Sequence, residues 1–340
     1  MSSNSKIEWT DATWNVTAGC TKCSPGCLNC YAERMAKRQV AMGCARGGDN
    51  TATWIAYSDA INPDTGKWSG KIALRDDQLG KPLHWKEPRR IFVCSMSDLF
   101  HPKIPFEFID KIHAAMIVAV RHSHYHTYLI LTKRIKRMLK YYSSNRRPQL
   151  YKILEKDYDM ITGFFGINWP FPNIHLGVSI SNPDEMWKAE VLSRIPAAVR
   201  WISFEPLLAD VGEIPLISCR EDDNNLEEFG QHIDWVVVGG ESGPGARYCP
   251  IENIRGIVEQ CKAANIPVFV KQIHLWQIQG SGGWLFETEK EALESDIRSH
   301  LEFNNKIAGK KNKLTPKRVL IKDIKQFPKD LRIQQYPERI

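Results

Sequence analysis

Four cysteines, Cys20, Cys23, Cys27 and Cys30, fall within eleven residues of the stretch AGCTKCSPGCLNCYAERM (18–35). Their spacing is C-x2-C-x3-C-x2-C, and Pro25 and Gly26 turn the backbone between the last three, so several thiolates can face one centre. Cys23, Cys27 and Cys30 alone give C-x3-C-x2-C, a spacing at which three sulfurs hold a 4Fe-4S cube and leave one iron open to a ligand. Zinc is the first rival, but structural zinc sites usually separate their cysteine pairs by about a dozen residues or more. Here the gap is three residues. An electron-carrying ferredoxin uses another order of gaps and a Pro after the last Cys, where this chain has Tyr31. Disulfides call for an oxidising compartment, to which nothing else in the chain points.

The opening IEWTDATWNVTAGCTKCSPGCLNCYAERMA resembles the phage-associated three-Cys-motif family of radical SAM-like proteins, whose pattern is a Cys, six residues, then C-x2-C-Y-A-E. That pattern falls on Cys20, Cys27 and Cys30. Cys23 is additional and creates the general radical SAM spacing, so Cys20 and Cys23 are alternatives for the third cluster ligand. Over residues 7–275 the order of motifs is also distantly similar to spore photoproduct lyase, a radical SAM enzyme that repairs a thymine dimer in DNA. The resemblance implies a 4Fe-4S cluster and S-adenosylmethionine as cofactors, and an electron donor as partner. It further implies a 5′-deoxyadenosyl radical that acts on a nucleic-acid base (DNA or RNA), in repair or modification. The alternatives are an iron–sulfur or zinc-containing nucleic-acid-binding protein without radical chemistry, or a radical SAM enzyme acting on a small metabolite or a peptide.

Such a loop needs a scaffold, and the rest of the chain supplies a repeating one. After the loop, CYAERMAKRQVAM has apolar residues at helical spacing, which places Cys30 at a helix start, where the dipole favours anions. Residues 43–90 are rich in Gly, Asp and Pro and read as a long loop, extended near 71–74. From Arg90 short apolar strands alternate with amphipathic helices, the pattern of a parallel β/α architecture. The strands are IFVCSM, HTYLILTKR, IHLGVSIS, VRWISFEPL, IDWVVVGGESG and PVFVKQI. Helices IPFEFIDKIHAAMIVAVRH, RIKRMLKYYSS, NPDEMWKAEVLSRIP and PIENIRGIVEQCKAANI intervene, the third with Asn182 or Asp184 at its cap. With one more strand near 13–18 the expectation is an α/β fold, a partial (β/α)6-7 TIM-type barrel over residues 1–275. Residues 276–340, with a charged helix near 287–297 and a Lys-rich tail over 306–325, read as an appended basic extension. Insertions are expected near 148–172 and 214–232.

In a β/α barrel, functional side chains gather where strands end at the carboxyl face. Here those ends carry Ser95, Ser97 and Asp98, then Thr132, Lys133 and Arg134, then Ser179 and Ser181, then Ser203 and Glu205, and then Gly240, Glu241 and Ser242. Any one such set also has a reading as ordinary caps and turns; five in register count considerably against it. A pocket for S-adenosylmethionine needs acceptors for an amino group, a cation or hydroxyls for a carboxylate, and partners for a ribose. By resemblance to spore photoproduct lyase, Lys133 takes the methionyl carboxylate, assisted by Ser95 or Ser97 and by Ser179. Asp98 can accept from the amino group, and Glu205, Gly240 and Glu241 are placed to face adenosine or substrate. Lys271 is either a mouth residue or a strand-end charge. No catalytic residue is assigned, and Cys94 and Cys249, which lie beside two of these motifs, read as packing residues rather than hydrogen donors.

Composition sets weaker bounds. A formal net charge of +7 favours a polyanionic partner, and TKRIKRMLKYYSSNRR holds seven Lys or Arg and no acid, interleaved with Tyr141 and Tyr142. That mixture either tracks phosphates and stacks bases or is a solvated helix face. His122, His124 and His126 alternate, as on one strand face, but HSHYH also reads as a polar turn. No apolar run approaches bilayer length and MSSNSKIEWTDATW has no signal-peptide core, so the expectation is a cytoplasmic protein with no membrane partner and reduced thiols.

Overall fold

The computed structural model describes residues 5–45, 51–121, 125–160, 170–216, 232–278, 285–287, 291 and 316–337. Its strands are β1 (Ala12–Trp14), β2 (Thr17–Ala18), β3 (Ala73–Leu74), β4 (Arg90–Val93), β5 (Thr127–Thr132) and β6 (Ile174–Ser179). They continue with β7 (Val199–Phe204), β8 (Trp235–Gly239), β9 (Val268–Ile278), β10 (Leu285–Phe286) and β11 (Pro316–Ile321). The helices are α1 (Tyr31–Ala45), α2 (Ala52–Ala60), α3 (Phe106–Arg121), α4 (Ile135–Tyr142), α5 (Arg147–Tyr158), α6 (Trp187–Ser193) and α7 (Ile251–Ala263). Strands pair in the order β1-β4-β5-β6-β7-β8-β9, and every one of those pairings is parallel. β10 and β11 add antiparallel to β9. The fold is therefore α/β with a mainly parallel sheet whose strands follow chain order.

The period-two pattern of the strands sorts their side chains onto two faces. One face (Ile91, Val93, Tyr128, Ile130, Leu176, Val178, Ile202, Phe204, Val236, Val238) packs with the helices in the large core. The other gathers Phe92, Leu129, Trp201, Trp235, Val237 and Phe269 around Trp9. Trp9 lies 4.8 Å from Phe92 and 5.1 Å from Trp201, ring centre to ring centre. Gly177 on β6 makes room for this plug, because a Cβ there would sit 2.3 Å from the Trp201 indole. Following the same parity toward the carboxyl ends leads from these rings to Lys133, Ser179, Glu205 and Gly239. The second face thus changes from aromatic to polar along the strands.

Several expectations are revised. The strand expected near 13–18 divides into β1, in the main sheet, and β2, which pairs with β3. The region read as a loop over 43–90 contains α2, capped by Thr51, whose side chain accepts from the Trp54 N–H. The insertion expected at 148–172 begins as α5, its remainder at 161–169 lying outside the described residues, as does 217–231 of the other insertion. Asn182 precedes a 3-10 turn, Pro183–Glu185, without a side-chain cap bond. Most of the helix expected at 287–297 lies outside the described residues. The Lys-rich tail is in part β11, and beyond it Phe327 and Leu331 are buried in the large core. Among the described residues, no helix is long and apolar enough to cross a membrane.

Candidate functional site

The cysteine loop lies across the carboxyl ends of the parallel strands. It leaves β2, is tied to the segment after β4 by a parallel bridge between Gly19 and Ser97, and returns into α1 at Tyr31. Its middle is a 3-10 turn, Pro25–Cys27, where Ser24 accepts from the Gly26 N–H. Gly26 is buried against the strand ends, and a Cβ there would lie 2.2 Å from Ser181 Oγ, 3.2 Å from Lys133 Nζ and 3.3 Å from Pro206 Cδ. Only glycine lets the backbone come so close.

Each strand end contributes a tie. After β4, the Ser95 carbonyl accepts from the Tyr31 hydroxyl, Ser95 Oγ donates to Asn15 Oδ1 at 3.2 Å, and Ser97 Oγ lies 2.6 Å from Thr17 Oγ1. Asp98 is buried and accepts from the Thr132 hydroxyl (2.7 Å), the Phe100 N–H (2.9 Å), the Lys133 N–H (3.2 Å) and Arg134 Nη1 (2.8 Å). After β5, Lys133 Nζ donates to Ser179 Oγ, and Ser179 Oγ donates to the Glu205 carbonyl at 3.2 Å. Glu205 pairs with Lys271 and accepts from Gln272 Nε2 at 3.3 Å. Gln272 Nε2 also donates to the Gly240 carbonyl at 2.6 Å. Two successive residues of β9 reach one Glu205 oxygen because the β8–β9 register shifts between Val238 and Gly239. Glu241 accepts from Asn29 Nδ2 (2.9 Å) and from Arg247 Nε (3.0 Å), Nη2 (2.5 Å) and N–H (2.8 Å).

The predicted set therefore divides. Lys133, Ser179 and Glu205 converge on one polar chain, and Gly240 joins it through Gln272. Ser95, Ser97 and Asp98 are engaged in holding the cysteine loop and the neighbouring strand ends, and Glu241 is saturated by Asn29 and Arg247. Arg247, Asn29, Thr21 and His101, which no motif marked, complete the second group: His101 Nε2 lies 2.9 Å from Thr21 Oγ1. Cys94 and Cys249 are both buried; Cys94 is 3.4 Å from Thr17 Oγ1 and the Cys249 N–H donates to His274 Nδ1.

Electrostatics follow these contacts. The interaction between the neighbouring Cys23 and Cys27 thiols raises Cys23 and lowers Cys27, and Lys133 lowers Cys27 further. Burial, with Asp98, pushes Cys20 up to about 12, against the pull of Arg134. Burial also resists ionisation of Glu241, but the Arg247 and Asn29 hydrogen bonds bring it down to about 2. His101 is lowered to about 4 by burial and by Arg134. Among the described residues, no three or more His, Cys, Asp or Glu side chains are already drawn together as a metal cage. The donor chemistry nevertheless suits a thiolate-bound metal: four thiols in one loop, with Lys133 and Arg134 as adjacent cations to offset thiolate charge.

The basic stretch behaves differently from the base-stacking expectation. Tyr141 and Tyr142 are buried, bonded to Asp110 and His113. Arg146 pairs with Asp110, and Arg137 donates to the Ile104 carbonyl. Lys136, Lys140 and Arg147 face outward, Lys136 lying 5.0 Å over the ring of the exposed Trp187. Of the alternating histidines, His122 and His124 lie outside the described residues, and His126 is buried with Nε2 3.1 Å from the Pro82 carbonyl.

Fold and site define a mixed α/β protein with a cysteine loop seated on the carboxyl ends of a parallel sheet. Over residues 4–317 the chain matches the family described as Protein of unknown function (DUF5131), and it belongs to that family. No curated protein and no solved structure matches it.

Proposed function

We propose that the protein is a radical S-adenosylmethionine enzyme on a partial TIM-type barrel. The observation that carries this reading is the seating of the cysteine loop on the strand ends, with Gly26 against Ser181 and Lys133, and Asn29 against Glu241. A binding module would not need five strand ends aimed at one thiol loop. The barrel reading is supported by the chain-order parallel strands and by a second face plugged with aromatic rings at one end and polar at the other. Cys27, Cys30 and one of Cys20 and Cys23 are the residues to hold a 4Fe-4S cluster. When bound, the cluster supplies the electron that splits S-adenosylmethionine into methionine and a 5′-deoxyadenosyl radical.

The chain's own residues then have three tasks. Lys133, fixed by Ser179, offers a cation for a carboxylate beside the loop. Glu205, held by Lys271 and Gln272, keeps a carboxylate on the same face as an acceptor for an amino or hydroxyl group. The aromatic plug of Trp9, Trp201 and Trp235 closes that face from below and excludes water. The proposed substrate is a nucleic-acid base, supported by the net charge of +7 and by the exposed Lys136, Lys140, Arg147 and Trp187.

The test is anaerobic reconstitution with iron and sulfide, followed by dithionite and S-adenosylmethionine. Release of 5′-deoxyadenosine is expected; a reconstituted, reduced protein that releases none is a binding module instead. Mass spectrometry of duplex, single strand and free nucleotide after turnover then decides the substrate. Modification of a peptide or small metabolite alone would remove the nucleic-acid reading.

A further inference from the structure

Arg134 touches the cysteine loop at three points. Its Nη2 donates to the Thr21 carbonyl at 2.6 Å and to Thr21 Oγ1 at 2.9 Å, and its Nη1 points an N–H at Cys20 Sγ, 3.7 Å away. The same Nη1 is 2.8 Å from Asp98 Oδ2. Asp98 is fixed in turn by the Thr132 hydroxyl and by the N–H groups of Phe100 and Lys133. Both partners are largely out of water, with side-chain exposures of 11% for Arg134 and 8% for Asp98. A buried ion pair gains little stability over an apolar pair of the same volume. Stability is therefore a poor reason for this one, whereas aiming a planar, multi-pronged donor is a good one. Cys23, by contrast, is exposed.

We infer that Arg134 is a positioning residue that holds Cys20, rather than Cys23, as the third cluster sulfur and donates a hydrogen bond to it. The inference rests on the cluster reading above. A hydrogen bond and a positive charge at a ligand sulfur favour the reduced, more negative cluster, so Arg134 raises the reduction potential. The electron itself comes from an external one-electron reductant, dithionite in the experiment below.

The experiment compares wild type, Arg134→Lys, Arg134→Gln and the pair Asp98→Asn/Arg134→Gln, which removes both charges together and guards against misfolding around a lone Asp98. In the unreconstituted proteins, amide exchange over 19–24 should rise roughly tenfold in Arg134→Gln and in the pair, with exchange in α3 unchanged. In the reconstituted proteins, iron content should persist while the midpoint potential moves to more negative values, least in Arg134→Lys. Cys23→Ala should keep its cluster and Cys20→Ala should lose it. Unchanged potential and unchanged exchange in Arg134→Gln, or a full cluster in Cys20→Ala, would overturn the inference while leaving the cluster intact. If wild type takes up no iron, the cluster reading fails instead, and the exchange contrast alone decides whether Arg134 orders the Cys20 segment.

Discussion

Arg247, six residues beyond Glu241, reaches across to donate from Nη1 to the Pro25 carbonyl at 3.0 Å while its other nitrogens grip Glu241. With Asn29 bonded to the same carboxylate, β8 and the cysteine loop are clamped together at a site where Glu241 is almost fully buried. Removing the carboxylate leaves Asn29 only the Gly245 carbonyl and Arg247 only the Pro25 carbonyl as acceptors. Glu241→Ala should cost about 2–3 kcal/mol, the scale of charged hydrogen bonds. Chemical denaturation of the unreconstituted protein checks it, and a loss under ~0.5 kcal/mol would leave the clamp with no energetic weight.

For the metal, Cys27→Ala or Cys30→Ala should abolish iron uptake. Iron and sulfide analysis after reconstitution reads this directly; a full complement of iron in Cys27→Ala would refute the ligand set.

Lys133 bonds to Ser179 and lies near Cys27. Lys133→Met should leave iron uptake intact and weaken S-adenosylmethionine binding roughly tenfold or more, as for a lost charged hydrogen bond. Equilibrium dialysis of the reconstituted protein is the measurement, and equal affinities would take Lys133 out of the pocket.

His101 has a pH signature. Its folded value is lowered from 6.5 to about 4, chiefly by burial. The unfolded chain therefore binds the proton first, so the His101 contribution is complete above pH 6.5 and is lost as pH falls from 6.5 toward 4. His101→Asn should flatten the stability–pH curve of the unreconstituted protein over that window. Parallel curves for variant and wild type would show that His101 does not titrate in this way.

The sequence makes the strand ends readable because each apolar period-two run stops at a polar cluster, and Lys133, Ser179 and Glu205 do meet. What it conceals is partnership. Asp98 and Glu241 read as free acids, and only the fold shows Arg134 and Arg247 filling their lone pairs. The basic neighbours of Tyr141 and Tyr142 suggest an exposed stacking surface, yet Ile135, Met138, Tyr141 and Tyr142 are all buried on one side of α4 at helical spacing. That period is the signal to weigh above the charge count. α2 is hard to read from sequence because ATWIAYSDA has no one-sided stripe; its Thr51 cap is the available clue. The role of β11 was illegible because a Lys-rich segment looks solvated, whereas alternate residues of an edge strand can face water.

That last strand also governs how the molecule can be handled. β9 would otherwise present an open row of backbone donors and acceptors, the kind of border on which foreign chains polymerise. Pro316–Ile321 seals it, and Phe327 and Leu331 anchor the seal in the interior. Trimming the chain back to its first 275 residues would uncover both the border and the greasy sockets beneath it, leaving a product that clumps before any cofactor can be loaded.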